Sequence, residues 1–410
     1  MNIVSKIKNV IIVCDHMHIA GGASKIAIQT AISLKSSGLN VVYFGAMLPI
    51  DDGLINAGVI TVCTEQNDIT HQKSRAKAFF QGINNKKARK IFFELLRGFN
   101  IHDTIIHIHG WTKALSSSIF IPLKQRNFRV LITVHDYFMI CPNGGLFNYK
   151  KSEICKLAPL SFRCKICNCD SRGYLYKVYR VIRQQKQRKV LNKVKNISLI
   201  FISEFSKKEF LKRAGELSKE KIYYLQNPIQ IPEKRQRICC EKNSQYVFIG
   251  AVQQAKGIKR FCAAVTIAGV KGIVIGDGPL KEELQEQYKN IQFVGWKNKK
   301  EIDDLIQEAR CLIFPSLWYE ASPLTPIEVM AWGVPVICSD LTASKDIVNN
   351  GATGFLYDGT STKALVQAID KTRDGAQIYK MSKQVFDNFN SQVYSLDVYK
   401  KNLITIMNSL

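Results

Sequence analysis

Short apolar runs alternate with amphipathic helical segments along this chain, and the alternation is run through twice. Segments 10–14, 41–44, 105–109, 130–134 and 199–203 read as buried strands. After a polar stretch at 231–237 the pattern restarts with 246–249, 273–275, 291–294, 311–314 and 334–338. Runs of Val, Ile and Leu without polar alternation mark strands covered on both faces, and strand–helix alternation puts such strands in parallel sheets. The expectation is two doubly wound, Rossmann-like α/β domains in series, 1–232 and 233–390. The amphipathic end, 391–410, is expected to form a helix that returns to the first domain. A chain of 410 residues has length enough for two such cores.

The densest chemistry lies at 314–328, across the end of a strand, a loop and the start of a helix. Thr325 can cap a helix whose first residue is Pro326, and Gly333 ends it. Ligands of parallel α/β units bind where strand gives way to helix, because free backbone N–H groups there favour anions. Glu320 and Glu328 flank this loop, so carboxylates can hold sugar hydroxyls while amides hold phosphate. The residues thus describe a pocket for a nucleotide-sugar. Thr325-x-x-Glu328 equally spells a capping box, in which Glu328 would only satisfy the Thr325 amide. In the first half, Gly21-Gly22-Ala23 opens a helical segment and can bring backbone close to a phosphate or sugar.

The formal net charge is +25. It concentrates in two runs, Lys73 to Arg97 and Arg172 to Lys195, the second without a single acid. Tyr174, Leu175, Val178, Val181 and Ile182 recur in the second run at helical spacing, which predicts a basic amphipathic helix. Such a helix can solvate its charged face, bind nucleic acid or lie on anionic lipid; the inner-leaflet surface is the favoured partner. No apolar run reaches the ~18 residues a membrane span needs. The basic start is followed by an apolar run too short for a signal-peptide core, so a cytoplasmic protein, peripherally bound to the inner membrane, is expected. Twelve cysteines are then expected to stay reduced. Five of them cluster as Cys141, Cys155, Cys164, Cys167 and Cys169. Cys164-x-x-Cys167 has chelate spacing, so either a structural zinc site or a loop with free thiols is expected.

In order along the chain, the motifs resemble those of the retaining glycosyltransferases of family 4, which have the GT-B architecture. They are Gly21-Gly22-Ala23, His107-x-His109-Gly110, Thr133-Val134-His135-Asp136, Gly250, Lys256-Gly257, Gly276-Asp277-Gly278-Pro279 and Phe293-Val294-Gly295. Pro315-Ser316, Glu320 with Glu328, Met330 to Val336 and Gly351 to Gly354 complete the set. The closer resemblance is to bacterial surface-polysaccharide enzymes of colanic-acid type, with a similar cysteine-bearing insertion, here 141–169. That resemblance implies Cys141, Cys155, Cys164 and Cys167 as the zinc ligands, with Cys169 spare.

The resemblance also implies the roles. Lys256 neutralises the donor diphosphate, Glu328 binds the ribose, and Glu320 contacts the transferred sugar. The amides around Ser322, Leu324 and Thr325 cradle the phosphates, His135 lines the sugar pocket, and Gly22 faces the phosphates. Ala251 stands where many relatives carry an arginine, so Lys259 or Arg260 compensates, or more of the charge falls on Lys256. Trp296 can stack on the base, although a packed tryptophan is the commoner role. The implied reaction is transfer of a hexose from a nucleoside-diphosphate sugar to a glycan acceptor, lipid-linked, with retention and no metal needed for catalysis. It belongs to surface polysaccharide biosynthesis, such as lipopolysaccharide O-antigen or capsule. Two alternatives are a GT-B-type nucleotide-sugar epimerase, which needs no acceptor, and a basic nucleic-acid-binding protein on a degenerate transferase fold; the motif set argues against nucleic acid.

Overall fold

The structure, a computed structural model, describes residues 7–232 and 234–410. The basic start at 1–6 and Glu233 of the polar stretch lie outside the described residues. The strands are β1 (Asn9–Val13), β2 (Asn40–Gly45), β3 (Ile60–Cys63), β4 (Thr104–Ile108), β5 (Arg129–Val134), β6 (Phe147–Asn148), β7 (Glu153–Ile154) and β8 (Ile197–Phe201). Then follow β9 (Lys221–Tyr224), β10 (Gln245–Ile249), β11 (Lys271–Ile275), β12 (Ile291–Gly295), β13 (Ala309–Phe314), β14 (Val336–Ser339) and β15 (Gly354–Tyr357). One sheet runs β3-β2-β1-β4-β5-β8-β9 and the other β12-β11-β10-β13-β14-β15. Every pairing within these two sheets is parallel, while β6 and β7 form a small antiparallel hairpin.

All ten expected strands are present. The additional parallel strands β3, β9 and β15 are edge strands, and β3 and β9 are only partly buried. Burial on both faces is written into β1. Ile11 and Val13 enter one core with Val42, Ile106 and Phe92, whereas Val10 and Ile12 enter the opposite one with Ile26, Val41 and Ile105. Successive residues of a strand point to opposite faces, so an unbroken apolar run requires helices on both. The second sheet has its own core around Val247, Phe261, Ile313 and Ile337.

Helix Leu396–Asn408 lies on the first domain, where Tyr399, Leu403 and Met407 join the core beneath helix Gly22–Lys35. Tyr399 and Thr30 hydroxyls are 2.9 Å apart. The chain therefore crosses between the sheets twice, near 226–237 and near 389–395. The two crossings are joined by the Ile229 amide donating to the Tyr394 carbonyl (3.1 Å).

Candidate active site between the two sheets

In each sheet the strand order reverses beside the first strand, at β1/β4 and at β10/β13, and such reversals open a crevice at the strands' C-terminal ends. Lys256 follows β10 and Glu320 follows β13. Across from them Gly22 follows β1, His109 follows β4 and His135 follows β5. The topology thus sets the candidate residues of both halves along two facing crevices.

Glu320 is the centre of the second-domain constellation. Its Oε1 accepts from Lys256 Nζ (2.5 Å), Trp318 Nε1 (2.6 Å) and Ser316 Oγ (2.9 Å), and the side chain is largely buried. Three donors on one oxygen fix the carboxylate's direction, and hydrogen bonds to a charged group are the stronger kind. Lys256 ends a short turn, Gln254–Lys256, that leads through Gly257 into helix Ile258–Ala268. Gly257 has φ 73°, and a Cβ there would overlap the Pro315 carbonyl oxygen. Only glycine lets the Lys256 loop press against the end of β13, which brings the two charged groups together.

Glu328 does not form the capping box. The helix spans Leu324–Met330 with Pro323 at its N-cap and no side-chain cap, so Thr325 lies inside the helix rather than before it. Proline's restricted φ and the extended backbone at Pro323 start the helix two residues earlier than expected. Glu328 Oε1 instead meets Lys25 Nζ of helix Gly22–Lys35 at 3.4 Å. Sequence reasoning missed Lys25; its place one turn after Gly22 was the available signal. Gly22 itself is exposed, and a Cβ there would meet nothing within 4 Å. Ser322 lines a cavity of about 200 Å³ together with Ser203, Glu204 and Asp346, and Leu324 packs against the first-domain core.

Neither Lys259 nor Arg260 faces Lys256. Lys259 pairs with Glu283 (2.7 Å), and Arg260 donates to the carbonyls of Gly359 and Thr360. Trp296 is not packed but 74% exposed.

His135 is one of three histidines in a row. His107 and His109 ring centroids are 4.2 Å apart, and His109 Nδ1 lies 2.9 Å from His135 Nε2. His107 Nε2 bonds the Thr133 hydroxyl at 2.8 Å. Burial pushes His135 down to about 4 and His107 to about 3, and holds His109 well below the ordinary value. The row is therefore neutral near pH 7 and acts as a hydrogen-bonding wall rather than a cation. Asp15, also missed, organises the loop beside it by accepting from the amides of Lys113, Ala114 and Leu115 at 2.8–2.9 Å.

The cysteine cluster gathers around a buried lysine. Among the described residues no group of three or more Cys, His, Asp or Glu is placed to hold a metal ion. Lys177, 1% exposed, puts its ammonium 3.3 Å from Cys169 Sγ and 3.6 Å from Cys164 Sγ. Cys141 donates to Asn143 Oδ1 (3.2 Å). Cys169, the expected spare, is thus in the cluster, and a lysine cation occupies its middle. The insertion also reaches the other domain: Phe147 of its hairpin packs with Ala255 and Leu317, beside Lys256 and Trp318.

Comparison with known proteins bears on the fold. Residues 230–384 match the family model described as glycosyl transferases group 1. A D-rhamnosyltransferase, WbpZ of Pseudomonas aeruginosa, is 27% identical over 131 residues, covering 30% of this chain and 34% of that protein. This chain spans less than half the length of the curated relatives it matches first. Among solved structures, sucrose-phosphate synthase from Thermosynechococcus elongatus superposes with TM-score 0.73 at 18% identity over 98% of both chains. Anabaena HepE in complex with UDP and glucose does so with TM-score 0.66 at 13% identity, over 98% of this chain and 100% of that one. Two Rossmann-like domains, facing crevices and these neighbours together make the fold GT-B.

Proposed function

We propose that the protein transfers a sugar from a nucleoside-diphosphate sugar to a glycan acceptor in bacterial surface-polysaccharide synthesis, with retention at the anomeric carbon. The observation that carries this is the Lys256–Glu320 pair at the β10/β13 crevice, facing Lys25–Glu328 across to the first domain. The glycosyl transferase match over 230–384 and the rhamnosyltransferase similarity support sugar transfer; HepE, bound to UDP and glucose in the same fold, supports the donor class.

In this reading Glu328 accepts from ribose hydroxyls and Glu320 from hydroxyls of the transferred sugar. The bond from the anomeric carbon to the diphosphate oxygen breaks while a bond to the acceptor oxygen forms. The leaving diphosphate gains negative charge, which Lys256 is placed to stabilise, and its oxygen takes the acceptor's proton. Preorganised cations of this kind act without reorganisation at the moment of reaction. With Lys259 and Arg260 turned away, most of that demand falls on Lys256. Cytoplasmic location and attachment to the inner membrane are part of the proposal; among the described residues no helix is long and apolar enough to cross a membrane.

The test is thermal unfolding with UDP, GDP, ADP and CMP, with Glu328→Ala beside the native chain. At ~100 times Kd a ligand should add about 2.7 kcal/mol. A shift with one diphosphate, lost in the variant, is the expected result; no shift with any of the four overturns the proposal.

A further inference from the structure

The loop that carries Glu320 belongs to the second sheet, yet the first domain holds it from both sides. Trp318, whose Nε1 binds Glu320, packs with Phe147 and Tyr149 of the first-domain insertion. A Cβ added at Gly145 would lie 3.1 Å from the Trp318 ring. Tyr319 packs against the first-domain core rather than that of its own sheet. The Ala321 carbonyl accepts from Ser203 Oγ, the N-cap of helix Glu204–Leu211 in the first domain.

Tyr319 sits in an aromatic box. Its ring centroid is 5.3 Å from that of Phe205, edge to face, and 6.5 Å from that of Tyr137. The Arg213 guanidinium lies over the same ring, 5.8 Å from its centroid, and is fixed by Glu209 at 2.8 Å. Edge-to-face rings at these separations attract beyond the area they bury, and a cation over a ring adds to the attraction. Phe205 is held in turn by the second domain. Lys345 lies over its ring at 4.7 Å, and its amide donates to Asp346 (3.0 Å). Tyr137 stands two residues after His135, and Tyr319 one residue before Glu320. Contact between these two rings therefore ties the loop of His135 to the loop of Glu320.

We propose that Tyr319 is a positioning residue for sugar transfer: seated among Tyr137, Phe205 and Arg213, it sets the Glu320 carboxylate in register with the first domain. The inference rests on the sugar-transfer reading above. Lys256, Trp318 and Ser316 fix the direction of that carboxylate. Its place relative to His135, across the cleft, is set by the ring on the neighbouring residue. Glu328 stands further on, in helix Leu324–Met330, and makes none of these contacts. Emptying the box should therefore spare nucleoside diphosphate binding and cost turnover, because a small misplacement at the reacting centre is expensive.

The experiment uses the full chain with UDP and UDP-glucose, or GDP and GDP-mannose, chosen by the thermal shift. Tyr319→Ala and Phe205→Ala empty the box from either side, whereas Tyr319→Phe keeps the ring. Turnover is read as diphosphate released with water as acceptor. It should fall at least about tenfold in kcat in the two alanine variants and stay within about threefold in Tyr319→Phe. Calorimetric affinity for the diphosphate should hold within about twofold in all three, which also shows that they are folded. The ratio of donor to diphosphate affinity, which needs no turnover, should fall at least about threefold in the alanine variants. In a Glu320→Gln background, Tyr319→Ala should change that ratio by less than about twofold, since effects exerted through one group do not add. An unchanged ratio in Tyr319→Ala, or diphosphate affinity falling in step with it, overturns the proposal. So does a full loss in the Glu320→Gln background, or a loss in Tyr319→Phe as deep as in Tyr319→Ala. A native chain that binds neither diphosphate nor donor overturns the transfer reading, and the positioning role falls with it; native binding with unaffected variants overturns the positioning role alone.

Discussion

Lys25 Nζ stands 3.4 Å from Glu328 Oε1, and this ion pair joins the first helix of one domain to the helix after β13 in the other. Both side chains are partly exposed, so the pair itself is worth no more than about 1 kcal/mol. Its interest is that the carboxylate assigned to the ribose is already engaged across the cleft. Lys25→Met should leave the unfolding temperature nearly unchanged and should not weaken nucleoside diphosphate binding, whereas Glu328→Gln should weaken it at least about tenfold. Equal losses in both, measured by calorimetry, would show that the pair and not the carboxylate matters.

Lys256→Ala should lower kcat by at least about two orders of magnitude, the effect of removing ~2.7–4 kcal/mol of transition-state stabilisation. Steady-state kinetics with the donor identified by thermal shift is the check. Near-normal turnover would reassign the leaving-group cation, with Lys25 the next candidate.

The two glycines that open the facing loops should behave oppositely. Gly257→Ala combines a left-handed backbone with overlap on Pro315, and should destabilise the fold by more than the ~1–2 kcal/mol of the backbone term alone. Gly22→Ala meets no neighbour and should unfold at the native temperature. Its nucleotide-sugar affinity should fall all the same, if that loop approaches the ligand. Undiminished affinity would remove Gly22 from the site.

The histidine row makes stability depend on acid in a definite direction. His135 and His107 have folded values depressed to about 4 and about 3 by burial. In the unfolded chain they take up protons near 6.5. Stability is therefore full above about pH 6.5 and lost as pH falls toward the folded values, by up to about 1.4 kcal/mol per pH unit for each histidine. Denaturant unfolding at pH 7.5 and 5.0 should show a loss of a few kcal/mol. Identical stabilities would mean that the row is not held neutral.

Much of this was legible because one physical rule governs it. Unbroken apolar runs had to be doubly covered strands, so β1, β10 and β13 followed from pattern alone, while the strand orders that open crevices beside them did not. Partly buried edge strands such as β3 and β9 lack that signature and escaped. Lys256 and Glu320 were legible as motif residues, but their direct contact was not, since it depends on Gly257 fitting against a carbonyl some sixty residues away. The basic helix, Tyr174–Leu191, misled because its buried face is polar, with Leu175, Val178 and Ile182 left outside. Gln184, Gln187 and Lys177 are satisfied there by carbonyls, Trp111 and thiols that no local pattern announces. The capping box failed for a similar reason, Pro323 having moved the helix start.

The double crossing between the sheets has a mechanical consequence. A single linker would let the domains swivel as well as open. Here two segments, hydrogen-bonded to each other through Ile229 and Tyr394, span the gap side by side, and the chain's last helix is anchored by Tyr399 to Thr30. Such a joint resists torsion and leaves bending as the soft coordinate. Lys25 and Glu328 would then part and meet again along one repeatable arc.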